Sequence, residues 1–132
     1  MPSVQTFVEP SVAAPIGPYS HAVVAGGLLF CTGQLPLGAD GAIVSDDPAV
    51  QARQCLENLA AVCAGAGTSL EAAARVTVYM TDLSAFPAVN EVYAELLPHH
   101  PARTTIGVAA LPMGVGVEID AIVALGGDDS DR

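Results

Sequence analysis

The most informative absence in this sequence is lysine. Its basic residues are four arginines, set against 14 acidic residues, which gives a formal net charge of −10. Without lysine the chain cannot form a Schiff base with a carbonyl substrate, anchor pyridoxal phosphate covalently or place a P-loop lysine on a nucleotide. So few basic residues on so acidic a chain also cannot build the basic face that nucleic-acid binding needs. We therefore expect no nucleic-acid partner.

Long uninterrupted apolar runs are also missing, although 52% of the residues are hydrophobic. The longest charge-free region, 10–39, is broken by prolines and glycines, whereas a membrane span needs about 20 consecutive apolar residues. Residues 1–5 carry neither a basic region nor an apolar one, so we expect no signal peptide and a cytoplasmic location. The high apolar content therefore predicts a buried subunit interface.

Cysteine is scarce and has no metal-binding spacing. Cys31, Cys55 and Cys63 are odd in number and form no C-x-x-C pair, which favours reduced thiols. Cys55 and Cys63 lie eight residues apart in a helical stretch, so we expect both in the core. The adjacent His99 and His100 lack a third ligand and are expected in an exposed loop. No sequence motif calls for a metal or cofactor.

The hydrophobic pattern predicts an α+β sandwich of two layers, with a mixed sheet of about six strands covered by two helices. A Gly26-Gly27 turn predicts a hairpin, and Asp47 before Pro48 predicts a capped helix start. The expected strands are 21–25, 28–32, 74–81, 104–110 and 117–125, and the expected helices are 48–64 and 85–97. We assign residues 1–125 to a single domain and residues 126–132 to an acidic tail.

Arg103 and Glu118 are the residues with the strongest chemical signal. Arg103 stands at the start of a strongly apolar strand, where its planar guanidinium is either paired or receives a carboxylate. Glu118 and Asp120, spaced by two, share one strand face, which is either a solvated face or the location of a general base. In a simple hairpin of the last two strands, Arg103 would lie about 20 Å from Glu118. A shared site would then need another sheet order or a subunit interface.

A stiff loop precedes the first predicted strand. Pro15 and Pro18 restrict the segment 15–20, which carries Tyr19 either as an ordinary turn residue or as the wall of a cleft. His21 opens the strand and is expected to be structural.

Six segments in order along the chain, from about residue 9 to 125, resemble the motifs of the RidA/YjgF family, also described as the L-PSP endoribonuclease family. These segments are Ile16–Ala22, Phe30–Pro36, Gln51–Leu59, Val89–Tyr93, Pro101–Thr105 and Val117–Ala121. The resemblance implies a chorismate-mutase-like fold and a homotrimer, with the sheets forming a central barrel and the helices outside. It places the active sites in clefts between subunits.

The resemblance also implies roles for individual residues. Arg103 would hold the substrate carboxylate and Glu118 would position the attacking water. The other substrate-binding positions would be Tyr19, Thr32, Gly33, Asn90 and Thr105. The sequence departs from the family pattern at His21, where glutamine is frequent, at Thr105, where some members carry cysteine, and in a slightly short connector before Arg103.

The implied activity is the cofactor-independent hydrolysis of reactive imino and enamine acids, such as 2-aminoacrylate or 2-iminopropionate, to 2-keto acids and ammonia. Such a reaction needs a fixed carboxylate, a placed water and assisted proton transfer. One alternative is a non-catalytic regulatory protein that binds small carboxylates. Another is an endoribonuclease or translation inhibitor, which the net charge of −10 disfavours.

Overall fold

A computed structural model describes residues 3–126 and contains eight principal elements. The strands are β1 (Gln5–Phe7), β2 (Ala22–Ala25), β3 (Leu28–Gln34), β4 (Ala73–Met80), β5 (Ala102–Gly107) and β6 (Val117–Ala124). The helices are α1 (Pro48–Gly65) and α2 (Phe86–Leu96), with short 3₁₀ turns at Leu70–Ala72, Leu83–Ala85 and Pro112–Gly114. Apart from its first residue, the predicted acidic tail lies outside the described residues.

The six strands form one mixed sheet in the order β1-β2-β3-β6-β4-β5. Strands β4 and β5 are parallel, and the other neighbouring pairs are antiparallel. Both helices pack on the same face of this sheet. The α+β sandwich predicted from the sequence is therefore confirmed.

Local sequence explains where several elements turn, begin and end. Gly26 and Gly27 have φ of 59° and 78°, as a two-residue hairpin turn with right-handed strand twist requires. Helix α1 begins at Pro48 as predicted, but the Asp47 side chain makes no capping hydrogen bond. Asp82 accepts from Ser84 N at 3.0 Å and caps the 3₁₀ turn that precedes α2.

Two strand predictions need correction. The sequence pattern missed β1, because three residues paired at a sheet edge are too short to show alternation. Strand β5 spans 102–107 rather than 104–110, so Arg103 is its second residue, still near the start of the strand as predicted. The last two strands do not form a hairpin either, since β4 lies between β5 and β6.

The core lies between the helices and one face of the sheet. Alternate residues of β6 are buried there, as period-two alternation requires: Val117, Ile119, Ala121 and Val123. They meet α1, whose Cys55, Leu59 and Cys63 have no exposed surface, so the expected burial of both helical cysteines is confirmed. Within residues 3–126, neither helix has the length and apolar character needed to cross a bilayer.

Neither helix covers the opposite face of the sheet. It presents a mixture of apolar and polar side chains, among which Phe30 is 41% and Ile106 45% exposed. We call this surface the open face. Large apolar side chains at this exposure are unusual over a contiguous sheet surface and are typical of an interaction surface.

Candidate functional site

Arg103 lies on the helix side of the sheet, held by one face of α2. Its strand partner in β4 is the buried Val76, so the two side chains share the face that α2 covers. The guanidinium carbon lies 4.7 Å from the Tyr93 ring centroid and 5.4 Å from that of Phe86. Nη1 donates to Asn90 Oδ1 at 2.7 Å. These three α2 residues follow helical spacing, which aligns them under one arginine.

The guanidinium keeps unused donors beside an open pocket. Within residues 3–126, Arg103 forms no ion pair, and its side-chain hydrogen bond goes to a neutral amide oxygen. A pocket of about 490 Å³ adjoins it. We call this the arginine pocket; it is lined by Asn90, Tyr93, Ala94, His100, Pro101 and Arg103. A guanidinium with free donors in such a pocket suits bidentate binding of a carboxylate.

Two further polar groups near Arg103 have unmet hydrogen-bonding capacity. Thr105, two residues along β5 and on the same face, has a buried hydroxyl without a hydrogen-bond partner. The same holds for the Tyr93 hydroxyl, and burial raises the pKa of that phenol although Arg103 opposes the shift. Buried hydroxyls left unpaired are uncommon in folded proteins and concentrate at functional sites.

The two connector histidines are exposed, as the sequence predicted, but they differ in surroundings. The His99 ring approaches the Ala73 carbonyl oxygen at 3.1 Å. His100 has a left-handed backbone, with φ of 54°, and borders the arginine pocket. Sequence reasoning treated both as loop residues and so missed the position of His100. The sequence shows only that His100 is three residues before Arg103, which does not reveal that both border one pocket.

Glu118 lies on the other side of the sheet, in a crevice where β3 bulges. The pairing of β3 with β6 shifts register between Cys31 and Gln34, and the intervening Gly33 faces the glutamate. A Cβ atom at Gly33 would overlap the Glu118 carboxylate and lie 2.9 Å from its Cδ. Burial, and secondarily the charge of Asp120, raises the pKa of Glu118. A raised pKa makes the carboxylate a readier proton acceptor, as a general base requires.

The loop that carries Tyr19 lies beside Gly33. Tyr19 is 41% exposed, and its hydroxyl accepts from Ile16 N at 3.1 Å. Together with Gly33, it lines a narrow pocket beneath the loop. We call Tyr19, Gly33 and Glu118 the glutamate crevice. Thr32 adjoins it, but its hydroxyl already donates to the Ser20 carbonyl at 2.8 Å.

His21 is the buried anchor of the same loop. Glu9 N donates to its Nδ1 at 2.8 Å, and its Nε2 lies 2.9 Å from the Ala13 carbonyl oxygen. Both ring nitrogens therefore have partners within the fold, and the side chain is 2% exposed. The expectation that His21 is structural agrees with this placement.

The structure thus separates the predicted site residues into two groups. Arg103 and Thr105 lie on the face of the sheet that the helices cover, where Asn90 of α2 contacts Arg103. Glu118 and Gly33 lie on the open face. Tyr79 of β4 pairs with Glu118 of β6 on one side and with Ile106 of β5 on the other. Ile106 lies three residues along β5 from Arg103. Arg103 and Glu118 are therefore offset by about 10 Å along the strands and about 10 Å across them. A shared site needed either another sheet order than a simple hairpin or a subunit interface. The sheet order does differ from a hairpin, but it does not bring Arg103 and Glu118 together within one chain.

The fold and these two groups of polar residues define a class: a small α+β protein with a guanidinium pocket under its outer helix and a carboxylate crevice on its sheet. Residues 10–125 match the family model described as Endoribonuclease L-PSP. The chain belongs to this family, which is also that of RidA and YjgF, so the resemblance seen in the sequence is confirmed.

Three similar proteins illustrate the relationship. A RutC family protein of Pyrococcus horikoshii is 47% identical over 110 residues, which cover 82% of this chain and 87% of the relative. The mitochondrial protein mmf1 of Schizosaccharomyces pombe is 38% identical, over 91% of this chain and 76% of its own. The crystal structure of RidA from an Antarctic Psychrobacter superposes with a TM-score of 0.87 at 38% identity, covering 92% of this chain and 99% of that one.

Proposed function

We propose that this protein hydrolyses reactive 2-imino and enamine acids to 2-keto acids and ammonia, without a cofactor. The observation that supports the proposal best is the Arg103 guanidinium, fixed by Asn90 and two aromatic rings yet with donors free toward an open pocket. A small 2-imino acid offers the carboxylate that such a group receives. Its imine carbon is strongly electrophilic once the imine nitrogen is protonated, so the protein has only to orient the substrate and supply water.

In the proposed reaction, Glu118 accepts a proton from a water molecule as the water oxygen bonds to the imine carbon. The π electrons of the C=N bond move to nitrogen, which gives a carbinolamine. The protonated Glu118 returns its proton to that nitrogen. The C–N bond then breaks and ammonia leaves, while the C=O bond forms and the hydroxyl proton passes back to the Glu118 carboxylate. Imine and water are thereby converted to keto acid and ammonia. The raised pKa of Glu118 favours its use in these proton-transfer steps.

The two groups of residues can act together only if different chains supply them. We propose a homotrimer in which the sheets form a central barrel and the helices lie outside. The exposed apolar side chains of the open face, including Phe30 and Ile106, provide the surface that such a barrel would bury. Each cleft would then combine the arginine pocket of one subunit with the glutamate crevice of the next. We propose a cytoplasmic location, although the relative mmf1 carries a mitochondrial designation.

A second candidate is a regulatory protein that binds small carboxylates without turnover. The observation in its favour is that one chain contains the arginine pocket whole, whereas Glu118 lies on the opposite face. An endoribonuclease activity, which the family description names, is the weakest candidate. A chain without lysine and with a net charge of −10 offers RNA phosphates little attraction.

The test is a coupled assay in which a pyridoxal-phosphate-dependent serine or threonine dehydratase releases the imine in solution. Keto acid formation is followed with wild type, Arg103→Ala and Glu118→Gln. Arg53→Ala is the matched control, because it removes an arginine that pairs with Glu95 on the surface. Acceleration by wild type and the control alone supports the deaminase. Binding of keto acids without acceleration by any protein would instead support the regulatory candidate.

A further inference from the structure

Glu118 belongs to a polar row on the open face. The other members of this row have no role in the proposed reaction. Tyr79 of β4 is its direct cross-strand partner, and Asp120 follows it by two residues on β6. Side chains at i and i+2 of a strand share a face, and so do directly opposed residues of neighbouring strands. Tyr79, Glu118 and Asp120 therefore occupy one patch.

Within that patch, Tyr79 is bonded to Asp120 rather than to Glu118. Its hydroxyl donates to Asp120 Oδ2 at 2.8 Å, a diagonal contact across the two strands. Burial and the hydrogen bond to Asp120 both raise the pKa of Tyr79, so the phenol remains a donor at neutral pH. The bond orients the Asp120 carboxylate, and it leaves Glu118 without a donor from β4.

Within residues 3–126 of one chain, the positive charge on the open face is that of Arg75, which lines a pocket with Asp120. In the proposed trimer the partner subunit's Arg103 would add a second positive charge. Strand β3 presents Gly33, which shares a pocket with Tyr19 of the preceding loop. On the helix side, Cys55 of α1 donates to the Val117 carbonyl, and burial raises the pKa of this thiol. Arg75 shares the open face, but it donates to Thr104 at 2.7 Å and forms no ion pair within residues 3–126. Asp120 is thus the acidic neighbour of Glu118.

We propose that Asp120 and Tyr79 are positioning residues of the glutamate crevice, which act on the reaction through Glu118. Asp120 places a fixed negative charge beside Glu118, which favours the protonated form of the glutamate. Tyr79 holds that charge in place and partly compensates it. The inference rests on the proposed function for its catalytic consequence, because a glutamate that takes up a proton readily is a better acceptor from the attacking water.

The experiment measures the titration of Glu118 itself, by carboxyl ¹³C NMR of glutamate-labelled protein, with Glu118→Gln to identify the resonance. We expect Asp120→Asn to lower the titration midpoint by about half a pH unit or more, because it removes a like charge two residues along the same strand face, about 7 Å away. Tyr79→Phe should move it the opposite way, because the uncompensated Asp120 charge acts more strongly. Asp46→Asn, the same substitution at an exposed loop position, should leave the midpoint unchanged.

Activity provides the second measurement. The acid limb of the kcat/KM profile should follow the NMR midpoint in each variant, with kcat changed more than KM. The inference is overturned if Asp120→Asn moves the Glu118 midpoint no more than Asp46→Asn does, or if Tyr79→Phe moves it in the same direction as Asp120→Asn. Because the titration requires no turnover, an inactive wild type would defeat the proposed function and leave this test intact. Circular dichroism and sedimentation confirm that each variant is folded and assembled as wild type.

Discussion

The Glu118 carboxylate occupies the space that a side chain at Gly33 would need. A Cβ atom at residue 33 would overlap a carboxylate oxygen and lie 2.9 Å from Cδ, closer than carbon atoms approach in folded proteins. Glycine at this position lets the Glu118 side chain keep its place, at a bulge where β3 departs from regular pairing with β6. The finding links a backbone feature of one strand to the proposed catalytic group of another.

Gly33→Ala should therefore displace Glu118 and reduce imine hydrolysis by at least about tenfold, since misplacement of about 1 Å can cost two orders of magnitude in rate. The loss of stability should be small, because the displaced group is the far end of a flexible side chain rather than backbone. Gly38→Ala is the control, because its added methyl would meet the Asp40 carboxylate at 3.2 Å, in a surface loop. Coupled-assay rates and urea unfolding measure both effects. Full activity in Gly33→Ala would show that Glu118 is free to move or not needed.

Arg103→Lys tests whether the guanidinium geometry matters beyond its charge. Lysine keeps the positive charge but loses the planar fork, the 2.7 Å bond to Asn90 and the stacking against Tyr93. We expect kcat/KM to fall about 10- to 100-fold, equivalent to about 1.4–2.8 kcal/mol, mainly through a higher KM. Arg53→Lys, which makes the same change in the exposed pair with Glu95, should have wild-type kinetics. Equal kinetics in the two variants would contradict carboxylate binding by Arg103.

The raised pKa of Glu118 predicts a pH-dependent stability with a definite sign. Burial favours the protonated carboxyl in the folded state, so Glu118 stabilises the fold below its ordinary pKa of 4.5. That contribution is lost as the pH rises through the higher folded value. The stability of wild type relative to Glu118→Gln should thus decrease from pH 4 to pH 7. Urea unfolding at fixed protein concentration measures it, and an increase over this range would contradict the assigned environment.

The sequence predicted most of the fold because its elements have strong local signals. The Gly26-Gly27 turn, the Pro48 helix start and the period-two burial of β6 each follow from a few neighbouring residues. Strand order had no such signal. The insertion of β4 between β5 and β6 depends on long-range pairing. Neither the short connection between β5 and β6 nor the residue pattern of these two strands indicates it.

The candidate site was predictable only in part, for the same reason. Arg103 and Glu118 were conspicuous because charged residues are rare in apolar strands. Their placement on opposite faces required the register of β4 with both neighbours, and the relevance of Tyr79 became visible only once that register was known. His100 was missed because its left-handed backbone and its place beside Arg103 are properties of the folded connector.

The opposite placement of Arg103 and Glu118 leads to a prediction that separates a shared site from two independent ones. Arg103→Ala and Glu118→Gln should each be inactive alone. If subunits exchange, a mixture contains clefts in which the Glu118→Gln chain supplies Arg103 and the Arg103→Ala chain supplies Glu118. Random assembly of equal amounts should restore about one quarter of the wild-type sites, since each cleft needs one particular chain on each side.

The measurement is the coupled assay after the two variants are unfolded together and refolded. Each variant refolded alone, and the two mixed without unfolding, are the controls. A double variant carrying both substitutions, mixed with either single variant, should stay inactive, because no cleft can then combine an intact Arg103 with an intact Glu118. Recovery in the first mixture alone requires that two chains build one site. Its absence, with mixed oligomers demonstrated by mass spectrometry, would place each site within a single chain and contradict the proposed assembly.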